Sequence, residues 1–220
     1  MKKFGVLLVL TALLMGSKMP DSGAVKLALV KYNGGGDWYA VVNALENLAA
    51  FANQELRTNI DPEYATVDVG SADVYNYPFL FMTGHGNVVF TEAEATNLRT
   101  YLMAGGFLFI DDDFGMDDFV RPAIQRVFPD RKLTELPYEH PLFHQKFNFP
   151  KGMPKIHEHD GRAPQTFGIF VDDRLVLVYA KDSNISDGWE DRAVHNDPEE
   201  VRVSALRMGA NMLQFVFGGQ

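Results

Sequence analysis

The sequence predicts an α/β fold: a mostly parallel sheet with helices on both faces and an added β-hairpin. Three observations predict it. From Lys26 onward, short aliphatic runs alternate with amphipathic stretches of helical period. The runs are apolar along their whole length, as in strands covered on both faces, rather than alternating as half-solvated strands do. Two of the amphipathic stretches also carry helix start signals, and one of them a stop signal. At 220 residues the chain fits one domain with a core large enough to fold unaided.

The elements follow in order. Lys26 to Tyr32 reads as a buried strand, and Asp37 as the cap of a helix with its stripe on Trp38, Val41, Val42, Leu45, Leu48, Ala49 and Ala52. Ala65 to Val69 and Pro78 to Met82 are further strands. Thr91 with Glu94 spells a capping box, and Gly105-Gly106 ends that helix. Phe107 to Ile110 is a strand with no wet face, followed by a helix near Asp118 to Phe128 in which Pro122 is expected within the first turn. Gly168 to Val171 and Leu175 to Tyr179 form a hairpin turned at Asp172-Asp173, adding an antiparallel edge. Asp197 as cap, Pro198 at the first position and Glu200 at the third start the last helix, with its stripe on Val201, Ala205, Met208, Met212 and Phe215.

Composition excludes several functions. The formal charge is −9, and no stretch concentrates Lys and Arg, so the electrostatic footprint for nucleic acid is missing. There are no cysteines, which removes disulfides, thiolate metal sites and cysteine nucleophiles. Lys2 and Lys3 ahead of the apolar run Phe4 to Gly16 read as a signal peptide, taken as residues 1–23, with residues 24–220 as the single domain. The run falls short of the roughly 20 apolar residues that a membrane span needs. Removal of the signal would leave a periplasmic or secreted protein with no membrane span.

In an open parallel sheet, ligands bind beyond the carboxyl ends of the strands. Three loops expected there are chemically unusual: Asn33 to Asp37, Thr83 to Asn87, and Asp111 to Gly115. Gly34, Gly35 and Gly36 are read as a structural turn, because a third fingerprint glycine and a P-loop lysine are both missing. His85 between Gly84 and Gly86 is either an accessible imidazole or a loop histidine bonded to a neighbouring carbonyl. Asp111, Asp112 and Asp113 are costly to bring together unless a cation or N–H donors compensate. Helix capping plus solvent exposure is the slightly favoured reading, and a bound cation the other. His140, His144, Trp189 and Glu190 complete the candidate ligand-binding residues, with packing as the default role of Trp189. His157 and His159, on one side of an extended segment, form a candidate pair for a divalent metal such as zinc. His195 completes the six histidines.

The stretch from about Lys26 to Phe217 resembles the bacterial family known as domain of unknown function 4159. The resemblance rests on Asn76-Tyr77-Pro78-Phe79, Met82-Thr83-Gly84-His85-Gly86, Gly105-Gly106-Phe107-Leu108, Asp111-Asp112 and Val127-Phe128-Pro129. His140-Pro141-Leu142-Phe143-His144, Gly188-Trp189-Glu190 and Ala205-Leu206-Arg207-Met208-Gly209 extend it. The resemblance implies a flavodoxin-like, class I glutamine amidotransferase-like fold, and no established reaction comes with it. Where such amidotransferases carry their nucleophilic cysteine, this chain has Asp111 to Gly115, so glutaminase chemistry has no nucleophile.

Two functions compete at this stage. The first, and favoured, is a non-catalytic exported module that binds an envelope protein or carbohydrate through the loop rim. The second is a metal-dependent hydrolase of envelope or carbohydrate substrates that uses His85, Asp111, Asp112 and some of His140, His144, His157 and His159.

Overall fold

The computed structural model describes residues 23–159 and 161–219, so residues 1–22 of the expected signal lie outside the described residues. Seven strands, β1 (Leu27–Lys31), β2 (Ala65–Asp68), β3 (Phe79–Met82), β4 (Phe107–Asp111), β5 (Thr134–Glu135), β6 (Gln165–Val171) and β7 (Arg174–Lys181), form one sheet in the order β2-β1-β3-β4-β7-β6-β5. The five from β2 to β7 are parallel, and β7 takes the fifth place of a flavodoxin-like 2-1-3-4-5 order. The hairpin turns where expected, with Asp172 and Asp173 both at positive φ, as a two-residue type I′ turn requires. Its second strand lies inside the sheet, however, so only β6 and the short β5 make the antiparallel edge.

Side chains of a strand alternate between faces, and here both faces are covered. Leu27, Leu29, Phe79, Phe81, Phe107 and Phe109 pack with helices α1 (Ala44–Leu56) and α5 (Glu199–Phe217), the latter preceded by the one-turn α4 (Arg192–His195). Ala28, Val30, Leu80, Met82, Leu108 and Ile110 pack with α2 (Glu92–Met103) and α3 (Asp117–Val127). Register places Phe79 beside Phe107 and Phe81 beside Phe109, and both pairs stack, with ring centroids 5.4 and 5.8 Å apart. Each fully buried ring is worth about 1.5–3 kcal/mol through removal from water alone. Among the described residues no helix is long and apolar enough to cross a membrane.

The capping box at Thr91 and Glu94 is present, and Gly105 follows the helix at φ +116°. Three local expectations fail. The first long helix starts at Ala44 rather than after Asp37, which leaves Val42 exposed. Pro122 lies in the second turn of α3 rather than the first. The carbonyl it deprives of a partner belongs to Asp118, which faces solvent. Pro198, not Asp197, is the cap of α5. The two aspartates are drawn away by partners at the site.

Candidate functional site

The carboxyl ends of β1, β3, β4 and β7 share one rim, and their loops lie against one another there. The Gly36 N–H donates to the Asn87 carbonyl at 3.0 Å, and the Tyr32 hydroxyl donates to the Thr83 carbonyl at 3.1 Å. Gly84 needs to be glycine: φ is +133°, and a Cβ would lie 2.6 Å from the Tyr32 hydroxyl. The three-glycine segment is a turn packed on this neighbour, as read from the sequence, with Gly34 and Gly35 at positive φ.

Asp37 reaches across to His85 instead of capping a helix. Its carboxylate accepts the His85 backbone N–H and stands 3.1 Å from His85 Nδ1. Partial burial opposes ionisation, yet these His85 contacts hold the Asp37 carboxyl below its usual range. The His85 side chain stays 54% exposed, and its Nδ1 is also 3.9 Å from Asp113 Oδ2. The imidazole is thus accessible and leans on a carboxylate rather than on a backbone carbonyl.

The three aspartates at the carboxyl end of β4, Asp111 within the strand and Asp112 and Asp113 after it, are buried, which corrects the expectation of solvent exposure. None of the three caps α3, whose cap position is Met116, and only Asp112 serves the approach to that helix. Its Oδ1 accepts the Met116 N–H at 2.9 Å before α3, and its Oδ2 accepts the Tyr179 hydroxyl at 2.9 Å. Burial raises the Asp112 pKa despite these donors. Asp111 Oδ2 accepts both the N–H and the hydroxyl of Ser186, each at 2.7 Å. Its Oδ1, like Asp113 Oδ1 and Asn184 Oδ1, has no hydrogen-bond partner among the described residues. Burial raises the Asp111 carboxyl well above the usual range, the Ser186 donors opposing it. Burial, then the charges of Asp187 and Asp111, raise Asp113 so far that it keeps its proton at neutral pH.

The loop after β7 supplies what the sequence reading missed. His157 Nδ1 lies 2.7 Å from Asp187 Oδ2, and its Nε2 lies 3.1 Å from Asp197 Oδ1, which explains why Asp197 does not cap α5. His195 Nε2 is 2.6 Å from Glu190 Oε2 and 3.7 Å from Asp187 Oδ1. One ligand atom each from His157, Asp187 and His195 lies within 4.8 Å of the other two. His159 is not among them. Its ring packs on Phe114 at 4.5 Å, so the expected His157–His159 pair is replaced by His157 with His195. The segment is not an extended strand, so alternation does not align the two rings.

His140 and His144 do not join the rim. His140 packs against Phe143, Phe170 and Phe215, its Nδ1 accepting the Leu142 N–H. Burial lowers its pKa. His144 is held by the Asn148 side chain and the Tyr138 carbonyl. Trp189 is fully buried on Phe81 and Phe109 and donates Nε1–H to the Ala205 carbonyl, which is the packing role and leaves no face for a ligand. Glu190 is buried beside it, accepting the Val42 N–H and facing His195. A groove of about 850 Å³ between residues 147–155 and α5 is lined by none of the candidate ligand-binding or metal residues.

Fold and rim define an open α/β sheet protein with an acidic, histidine-bearing site at the carboxyl ends of its strands. The chain belongs to the family described as Domain of unknown function (DUF4159), whose model matches residues 26–217. No curated protein matches the chain.

Proposed function

We propose that this protein is an exported hydrolase that acts on carbohydrate-containing envelope substrates at the rim of its sheet. The observation carrying the reading is the convergence of Asp37, His85 and Asp113. A carboxylate orients an exposed imidazole at 3.1 Å, and a buried, protonated carboxyl stands 3.9 Å away. His85 is placed to take a proton from an attacking water, and Asp113 to give one to the leaving group. On either side of His85 the surroundings lower the Asp37 carboxyl and raise the Asp113 carboxyl, and carboxyls driven apart in this way commonly divide such roles.

Exposed aromatic residues beside these groups support a sugar-bearing substrate. Tyr39 follows Asp37 by two positions and is 66% exposed, and Phe114 follows Asp113 and bridges to His85 through the backbone. The basic and apolar start of the chain supports export to the periplasm or beyond. A module that only binds would have His85 and Asp111 satisfied by neighbours, and Asp111 Oδ1 is not.

The test is incubation of the purified protein with peptidoglycan and with a panel of bacterial polysaccharides, products being followed by mass spectrometry. The wild type should release fragments, and H85Q should lose roughly 10²–10⁴-fold in rate. Retention of these polymers by the wild type without any turnover would refute the hydrolase and favour the binding module.

A further inference from the structure

We propose that His157, Asp187 and His195 form a site for a divalent ion of the zinc class, with Glu190 beside them as a fourth donor. The inference deepens the hydrolytic reading and rests on it only for what the ion would do there.

The contacts of the two imidazoles carry the argument. A neutral imidazole has one N–H and one lone pair. His157 has a carboxylate against each nitrogen, Asp197 on Nε2 and Asp187 on Nδ1. If Nε2–H donates to Asp197, the Nδ1 lone pair faces the Asp187 oxygen at 2.7 Å. An extra proton or a cation must then sit between them. His195 differs, since its Nε2 alone faces both Glu190 and Asp187, and that nitrogen offers them either an N–H or, with an ion between, its lone pair. Asp197 holds the outer nitrogen of His157 as outer-shell carboxylates hold metal-bound histidines.

The distances fit. Tetrahedral zinc with bonds of about 2.0–2.1 Å sets its ligand atoms roughly 3.3 Å apart. His157 meets one Asp187 oxygen at 2.7 Å and His195 the other at 3.7 Å, and one ligand atom from each of the three residues lies within 4.8 Å of the other two, so shifts of up to roughly 1.5 Å bring them onto one ion. Two imidazole nitrogens with carboxylate oxygens suit a borderline ion better than a hard one, which prefers oxygen alone. A second, independent observation points the same way. Asp197, whose other oxygen touches His157, has a buried Oδ2 with no donor among the described residues, so its carboxylate is short of positive charge.

Metal content measured on the full chain purified without chelator, followed by calorimetric titration of the stripped protein with zinc chloride alone, tests the site. About one equivalent should bind. H195A, at a surface position and checked for folding by circular dichroism, should bind at least about 100-fold more weakly. D197N should bind about 10–100-fold more weakly, and H159A as the wild type does. Metal-free protein that gives no heat with zinc, or H195A with wild-type affinity, overturns the proposal. Zinc bound by a protein that hydrolyses nothing supports the site and refutes the activity, whereas turnover by the stripped protein keeps the activity and refutes a catalytic part for the ion.

Discussion

Replacement of Asp113 by Asn should stabilise the metal-free protein at neutral pH, against the usual expectation for a buried polar residue. In the folded chain Asp113 is 3% exposed and protonated, chiefly through burial. In the unfolded chain it ionises near the ordinary value of about 3.9. Folding at pH 7 therefore takes up a proton across roughly three pH units, which costs about 4 kcal/mol at about 1.4 kcal/mol per unit. Asn has the same shape and no proton to take up, so D113N should gain up to about 4 kcal/mol at pH 7, less whatever relaxation already relieves. Because the folded pKa is the higher one, the Asp113 contribution is complete below about pH 4 and is lost as pH rises. The gap between variant and wild type should therefore widen with pH. Urea unfolding with chelator present, at pH 5, 6, 7 and 8, measures it. A variant less stable than the wild type at pH 7, or a gap that does not change with pH, would refute the reasoning.

Other positions give smaller tests. Tyr179→Phe removes the buried hydroxyl that serves Asp112 at 2.9 Å and Asp117 at 3.1 Å. It should cost about 1.5–3 kcal/mol in urea unfolding, and a loss below 0.5 would contradict that role. His140 has its pKa lowered by burial, so its contribution is present above the ordinary value near 6.5 and lost as pH falls below it. His140→Phe should flatten the loss of stability between pH 6.5 and 5, and thermal melts across that range that match the wild type would exclude the assignment.

Three of the four rim loops were legible because the sheet rule needs only strand order and direction. Runs such as Phe107 to Ile110, with no wet face, announce parallel strands, and the chemistry after them announces the rim. The fourth loop was not legible. A hairpin read from sequence looks like an edge, and only the pairing of β7 with β4 brings Asp187 and His195 to the same end as Asp113. Local signals also lost to distant partners. Asp37 and Asp197 each stand where a cap belongs, and a cap is worth about 1 kcal/mol. Hydrogen bonds of a carboxylate with an imidazole are worth about 1.5–3 kcal/mol when charged. His85 is 48 residues from Asp37 and His157 is 40 from Asp197, separations that no local pattern records. His140 and His144 misled in the opposite way, since a histidine-rich motif reads as chemistry when its rings serve only to pack and brace a loop.

The same shortage of positive charge explains both halves of the rim. Asp113 meets it by keeping its proton and Asp111 by holding one more tightly than usual, their surroundings being too dry to favour the ionised form. His157 and His195 meet it by turning nitrogens toward carboxylates, an arrangement that a proton or a metal ion completes equally well. Asp187 belongs to both, since its charge raises Asp113 while its oxygens face both imidazoles. An ion held there would cancel the Asp187 part of the rise in Asp113 and leave the larger part, burial, untouched. Metal and acid are therefore compatible on one rim because dryness, rather than the neighbouring charge, is what chiefly keeps the proton on Asp113.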